Sequence, residues 1–142
     1  MEFELIEVKE IEKDILKHLL EFYLYDFNFY YEDDLNEKGR FDFIDIEPYF
    51  NNKNNKAYFI KSKGNFAGFV LLVDNNNIQT IEEFWIMPKY RKGYFAFKVL
   101  EEIINKCNTK LEFIILNENE RWLKAIKYLL NKNYKIIKTE NI

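Results

Sequence analysis

The N-terminal part of the chain changes from an alternating to a helical pattern of apolar positions. Apolar and acidic residues alternate over residues 3–8, which predicts a strand with one buried face. Over residues 9–29 the apolar positions recur every three or four residues, which predicts one long amphipathic helix. Two neighbouring stripes form its wide apolar face: Ile11, Ile15, Leu19, Phe22 and Leu16, Leu20, Tyr23, Phe27. The aromatic segment 41–50 predicts a helical turn before an asparagine-rich loop.

The middle of the chain predicts three consecutive strands. Residues 57–63 and 65–74 are separated by Lys63-Gly64-Asn65, whose turn chemistry indicates a hairpin. A third strand is expected over residues 78–87, after an asparagine cluster. Pro88 ends it, because proline has no N–H to donate to a sheet ladder.

The last third predicts helix, strand, helix and strand. Apolar residues share one helical face between Ala96 and Cys107, residues 110–116 read as a β-branched strand, 122–131 as a helix and 134–138 as a final strand. A strand–helix–strand crossover makes strands 78–87 and 110–116 parallel neighbours if they pair. The expected fold class is therefore α/β, with a mixed and mostly antiparallel sheet flanked by helices.

Composition narrows the classes of protein. A length of 142 residues predicts one domain, spanning residues 1–142. The net charge of −3 argues against nucleic-acid binding, and a single His and a single Cys argue against a metal site. A lone Cys fits a reducing compartment, and neither a signal peptide nor a membrane span is recognisable, so we expect a cytoplasmic protein.

Candidate chemistry concentrates in residues 81–96, where a strand leads through a short basic loop into a helix. Unpaired N–H groups at a helix N-terminus, together with the helix dipole, bind phosphate oxygens well. Lys89, Arg91 and Lys92 add positive charge there although the chain is acidic overall. An ordinary solvated strand-to-helix loop is the alternative interpretation of these features.

The same segment resembles the acyl-CoA-binding motif of the GNAT N-acetyltransferase superfamily. The residues that carry the resemblance are Ile86-Met87-Pro88-Lys89-Tyr90-Arg91 and Arg91-Lys92-Gly93-Tyr94-Phe95-Ala96. Tyr94 stands where that motif usually has glycine, and Gly93 lies one position early. Two further segments resemble a subgroup of small predicted bacterial acetyltransferases: Ala67-Gly68-Phe69-Val70-Leu71 and Glu83-Phe84-Trp85-Ile86.

The resemblance implies a GNAT-like fold with a β-α-β cofactor-binding unit and acetyl-CoA as cofactor. Backbone groups at the end of strand 78–87 would bind the pantetheine arm, and the following loop would bind the phosphates. The cofactor-binding residues that it implies are Ile86, Met87, Arg91, Lys92, Gly93, Tyr94, Phe95, Ala96 and Asn119.

The implied reaction is direct attack of an amine on the thioester within a ternary complex. The acceptor would be a primary amine of a small molecule or a peptide. The resemblance favours Glu83 over Glu82 as the base, and Tyr128 is the candidate acid, with packing as its alternative role. Tyr25 and Asp26 are candidates for the acceptor side, where simple packing or capping is the alternative.

Two other functions stay open at this stage. One is a non-catalytic acyl-CoA-binding or regulatory module, which the displaced glycine motivates. The other is a structural domain without a ligand. The aromatic-rich composition, with 14 Phe and 10 Tyr, also leaves a homodimer open.

Overall fold

The computed structural model describes residues 2–42, 45–107, 109–116 and 136–140, and they form one six-stranded sheet with helices on both faces. The strands are β1 (Glu4–Glu7), β2 (Asn55–Ser62), β3 (Asn65–Asn75), β4 (Ile78–Ile86), β5 (Lys110–Leu116) and β6 (Ile136–Glu140). The α-helices are α1 (Lys13–Asp26), α2 (Asn28–Tyr31), α3 (Pro48–Asn51) and α4 (Phe95–Lys106). Two 3₁₀ turns lie at Glu10–Glu12 and Pro88–Tyr90.

The strands follow one another across the sheet in chain order. β1 to β4 pair antiparallel, whereas β4–β5 and β5–β6 pair parallel. The predicted fold class is confirmed, including the parallel pairing of the two strands that flank α4. This places α4 in a strand–helix–strand unit at the point where the sheet changes from antiparallel to parallel.

Two tight turns hold the antiparallel strands in register. Lys63 and Gly64 join β2 to β3 with φ of 51° and 80°, and Asn76 and Asn77 join β3 to β4 with φ of 49° and 65°. Positive φ at both central residues is the geometry that suits a two-residue hairpin loop, and Gly and Asn tolerate it best. The predicted hairpins are therefore formed, with turn residues suited to them.

The prediction of one continuous helix over residues 9–29 is wrong. The segment is divided into the Glu10–Glu12 turn, α1 and α2, and the second break falls at Phe27. Phe27 has φ of −95° and ψ of 8°, and its N–H donates to the Tyr23 carbonyl at 3.0 Å. No proline or glycine marks this bend, so the apolar periodicity passes through it unchanged.

The sheet buries a separate apolar cluster on each face. On the first, here called the α4 face, Val70, Leu72 and Ile81 pack with Val99 and Leu100. On the second, here called the α1 face, the members from the sheet are Phe59, Phe69, Leu71 and Trp85, and those from α1 are Leu16, Leu20 and Tyr23. The second predicted stripe, from Leu16 to Tyr23, and the apolar face of α4 thus cover opposite sides of one sheet. The first stripe is only partly used, because Ile11 is 93% exposed and Phe22 60% exposed.

A bulge in β4 reassigns side chains between these two faces. Leu71 pairs with Glu83 while the next residue, Leu72, pairs with Ile81, so Glu82 is an extra residue in β4. Ile81 consequently points to the α4 face, whereas Trp85 points to the α1 face. Glu83 lies on the α1 face together with Trp85. With strict alternation along the whole strand, Ile81 would have pointed to that face as well.

The parallel pairing of β4 with β5 is short. It runs from Ile78–Lys110 to Ile81–Phe113, although β4 continues to Ile86 and β5 to Leu116. The bulge and the end of this pairing coincide, so the last part of β4 separates from β5 in register. The edge of β4 beyond Ile81, which has no paired partner in β5, is here called the cleft.

Two sequence predictions concern the C-terminal part. The predicted final strand is present as β6 (Ile136–Glu140), and residues 134–135 of the predicted range lie outside the described residues. The predicted helix over residues 122–131 lies outside the described residues. Among the helices of the described ranges, none combines the length and the apolar character that crossing a membrane requires.

The close approach of β3 to β4 at Gly68 can be tested by substitution. A Cβ built at Gly68 would lie 2.0 Å from the carbonyl oxygen of Trp85, so any side chain there must displace β4. We expect Gly68→Ala to lower the free energy of unfolding by ~2 kcal/mol or more, measured by urea denaturation. Gly64→Ala is the control, since its site is open and only the positive φ opposes it, at ~1 kcal/mol. Equal losses in the two variants would contradict the close approach.

Candidate active site

The end of β4 offers fewer free backbone groups than the sequence suggested. The N–H of Met87 donates to the Ala67 carbonyl at 2.7 Å, and the Met87 carbonyl accepts from the N–H of Tyr90 at 2.8 Å. The expectation that Met87 keeps backbone groups free for the cofactor is therefore wrong. Because backbone direction alternates along a strand, the N–H and C=O of Ile86 point away from β3, toward the cleft.

The side chain of Arg91 binds back onto the protein. Its Nε donates to the Ile86 carbonyl at 2.7 Å, and its Nη2 donates to Asp26 Oδ2. The same Asp26 oxygen accepts a hydrogen bond from Trp85 Nε1 at 2.9 Å. One carboxylate thus joins the C-terminal end of α1 to β4 and to the basic loop.

This network changes the interpretation of Asp26, a predicted acceptor-side residue. Its carboxylate already has a guanidinium and an indole N–H as partners, and both Asp26 and Arg91 are only partly exposed. An acceptor ammonium would have to compete with Arg91 for that charge. The other acceptor-side candidate, Tyr25, is 76% exposed on the same helix.

The loop before α4 turns through two successive left-handed residues. Gly93 has φ of 63° and Tyr94 has φ of 61°, and Tyr94 is the N-cap of α4. The N–H of Phe95 donates to the Lys92 carbonyl at 3.2 Å. The next N–H groups, of Ala96 and Phe97, belong to the first turn of the helix, where no intrahelical acceptor exists.

The side chains around this turn fit an anionic diphosphate. The ring of Tyr94 is 76% exposed, so it does not fill the space beside the helix N-terminus with a buried side chain. Lys92 and Lys98 are exposed near the same turn, and the Lys89 ammonium lies 5.4 Å from the centre of the Tyr90 ring. The positive side chains, the helix dipole and the amide donors therefore all favour an anion at the N-terminus of α4.

Glu83 lies on the α1 face and is half-buried, whereas Glu82 at the bulge is exposed. The hydroxyl of Tyr23, from α1, donates to Glu83 Oε2. Tyr23 was classed with the apolar stripe from the sequence and its contact with Glu83 was missed. A signal was present, because a buried tyrosine hydroxyl needs a hydrogen-bond partner.

Tyr49 on α3 is a second phenol near the same carboxylates that sequence reasoning missed. Burial, followed by the negative charges of Glu82 and Glu83, raises the pKa of Tyr49 to about 12. Its phenol therefore stays protonated at neutral pH. The residues of α3 carry no pattern that could have connected them to β4, since Tyr49 and Glu83 lie far apart in the chain.

An aromatic stack that sequence reasoning missed lies next to the predicted site residues. Phe22, 60% exposed, stacks on Trp85 with ring centres 6.5 Å apart, which places an aromatic surface beside Asp26. Asn119 and Tyr128 lie outside the described residues. The structure thus brings together Glu83, Asp26, Arg91 and Ile86 around the end of β4.

The mixed sheet with its strand–helix–strand unit is the fold of GNAT acetyltransferases. The family model described as "Acetyltransferase (GNAT) family" matches residues 13–130, most of the chain. The chain therefore belongs to the GNAT acetyltransferase family, and the family prediction is confirmed. Acetyl-CoA, the cofactor that the resemblance implied, is the cofactor of this family. A search by sequence among curated proteins finds no match.

Solved structures share the fold at low sequence identity. Spermidine N-acetyltransferase from Vibrio cholerae, in complex with CoA and spermine, has a TM-score of 0.67 at 10% identity and covers 89% of this chain and 79% of its own. Ribosomal-protein-S18-alanine N-acetyltransferase from Escherichia coli has a TM-score of 0.63 at 11% identity, with coverages of 90% and 76%. An acetyltransferase from Streptococcus agalactiae has a TM-score of 0.63 at 16% identity, with coverages of 92% and 82%.

The left-handed conformation of Tyr94 leads to a stability prediction. The left-handed conformation lowers the stability of the folded state for a residue with a Cβ but not for glycine. Glycine in turn loses more chain entropy on folding. Tyr94→Gly should therefore be more stable than Tyr94→Ala by about 0.5–1 kcal/mol in urea unfolding, since both variants remove the ring and differ only in the Cβ. An alanine variant as stable as the glycine variant would show that the turn does not hold this conformation in solution.

The raised pKa of Tyr49 leads to a pH prediction. The phenol is held protonated in the folded protein up to about pH 12, whereas it ionises near 10 in the unfolded chain. Its contribution to stability is therefore complete below pH 10 and is lost as the pH rises from 10 to 12. Allowing for its partial exposure, Tyr49→Phe should lose ~1 kcal/mol less than the wild type over that interval in urea unfolding. Parallel pH profiles would contradict the assignment.

Proposed function

We propose that this protein is an acetyl-CoA-dependent N-acetyltransferase that acetylates a primary amine of a small molecule or a peptide. The observation that carries the proposal is the unit formed by β4, the basic turn and α4. β4 leaves its pairing with β5 after Ile81 and runs through the turn directly into the N-terminus of α4. Family membership supplies the reaction class, and this unit supplies the place for the cofactor.

The phosphates of the cofactor would be held by the turn before α4. The amides of Gly93, Tyr94, Ala96 and Phe97, with the helix dipole, would bind the diphosphate, and Lys92 would add charge from an exposed position. Ile86 would bind the pantetheine arm through its backbone groups on the cleft side. In this structure its carbonyl accepts a hydrogen bond from Arg91 Nε. Asn119 is proposed as a further cofactor contact.

The bound cofactor supplies an acetyl thioester. For transfer, the acceptor nitrogen forms a bond to the acetyl carbon, the carbon–sulfur bond breaks, and the nitrogen gives up a proton. Glu83 is proposed to accept that proton, through a water molecule, because it is the half-buried carboxylate on the α1 side of the cleft. Tyr128 is proposed to return a proton to the leaving sulfur.

The acceptor is proposed to enter beside the C-terminal end of α1. Tyr25 and the Phe22–Trp85 stack give this side an aromatic surface, and Asp26 adds a carboxylate that Arg91 already compensates. Two structural neighbours, one bound to spermine and one named for a ribosomal-protein alanine, show the range of amines to be screened.

One observation favours a second candidate, a module that binds acyl-CoA without turnover. Tyr94 occupies the N-cap of α4 in a left-handed conformation, where the family motif usually has glycine. A side chain there narrows the approach of the diphosphate to the amides. The two candidates differ in whether free CoA is released when an amine is supplied.

Calorimetric titration with acetyl-CoA tests the site, and a free-thiol assay over a panel of polyamines and peptide N-termini tests turnover. We expect Lys92→Glu to weaken acetyl-CoA binding about tenfold, because a positive charge beside the diphosphate is reversed. Lys106→Glu, at the other end of the same helix, is the matched control and should bind within about twofold of wild type.

The outcomes separate the candidates. Binding with thiol release supports the enzyme, and binding without release for any amine supports the non-catalytic module. No binding, or equal effects of the two lysine variants, would reject the cofactor site itself.

A further inference from the structure

A buried phenol from α1 reaches the carboxylate proposed as the base. Tyr23 is 7% exposed, packed between the rings of Phe27 and Phe69, and its hydroxyl donates to Glu83 Oε2. The rings stand 5.0 and 5.7 Å from that of Tyr23, centre to centre. The phenol is thus held by packing, and its direction toward Glu83 is set before any ligand arrives.

The bulge at Glu82 is what makes this contact available. It turns Glu83 toward α1, and it leaves Glu82 exposed on the outside of the strand. Tyr23 lies one helical turn before Asp26, whose carboxylate is bound by Arg91 and Trp85. Successive turns of α1 therefore make different hydrogen bonds to β4. The Tyr23 hydroxyl donates to Glu83, and the Asp26 carboxylate accepts from Trp85.

Among the described residues, the carboxylates on the elements around Glu83 disfavour its ionised form. Glu82 is its neighbour in β4, and Asp26 lies further along α1, where Arg91 compensates it. Tyr49 from α3 is kept protonated by burial and by these glutamates. A half-buried carboxylate next to another one needs donors to stay ionised, and the Tyr23 hydroxyl is such a donor.

We propose that Tyr23 is a positioning residue that holds Glu83 ionised and in one orientation, ready to accept the proton of the acceptor amine. This inference rests on the proposed function, and it goes beyond it by giving a role to a residue that acts through Glu83. A hydrogen bond to the charged form stabilises that form. It also restricts the rotamers of a flexible glutamate, which matters for proton transfer over a short distance.

The test uses Tyr23→Phe, which keeps the ring and its packing, and Tyr58→Phe as the matched control. Tyr58 is a partly buried tyrosine of β2 that packs with the α4-face cluster, away from Glu83. For Tyr23→Phe we expect kcat to fall about tenfold, an unchanged KM for acetyl-CoA, and an acidic limb of the pH–rate profile moved up by about one pH unit. Tyr58→Phe should match the wild type in all three.

Two further measurements keep the inference separate from folding and from the proposed function. In a Glu83→Gln background, Tyr23→Phe should cost nothing more in kcat, because the two residues act as one unit. Carbon-13 NMR of the Glu83 carboxyl group should show its titration midpoint about one pH unit higher in Tyr23→Phe than in wild type or Tyr58→Phe, with no substrate present.

Each outcome has one meaning. If the wild type acetylates no amine, the proposed function fails while the NMR titration still tests the effect of Tyr23 on Glu83. If the wild type is active, and Tyr23→Phe shifts neither the midpoint nor the acidic limb relative to Tyr58→Phe, the positioning role is overturned. An additive loss of kcat in the Glu83→Gln background would overturn it as well.

Discussion

The extra residue in β4 is the constraint on which the rest of the site depends. By shifting the register at Glu82, the chain buries Ile81 against α4 and still turns Glu83 and Trp85 toward α1. The pairing with β5 stops at the same place, which opens the sheet where the cofactor of the family would lie. A regular strand would have kept the ladder closed and placed Ile81 and Glu83 on one face.

Asp26 connects this irregular strand to the helix above it and to the loop beyond it. Its carboxylate accepts from Trp85 in β4 and from Arg91 in the basic loop, and Arg91 also holds the Ile86 carbonyl. The Arg91 side chain is therefore bound to two groups of the protein itself. Its ion pair with Asp26 joins the C-terminal end of α1 to the loop before α4.

The loop before α4 departs from the family motif at Gly93 and Tyr94. Tyr94 stands where the family motif usually has glycine, and both Tyr94 and Gly93 take a left-handed conformation. Membership of the GNAT acetyltransferase family is consistent with such drift, since solved structures at 10–16% identity keep the same fold.

Local chemistry in the sequence determined most elements and their order. Alternation and turn residues such as Gly64, Asn76 and Asn77 predicted the hairpins, because strand period and positive φ are properties of short segments. The amino-acid pattern also identified the basic turn before α4. Only the tertiary structure decided four features: the bend at Phe27, the bulge at Glu82, the Tyr23–Glu83 contact and the Asp26–Arg91 contact. The two contacts join residues far apart in the chain, and neither the bend nor the bulge is marked by a proline, a glycine or a change of periodicity. Local patterns report on short segments, so they leave such features to the packing of the whole fold.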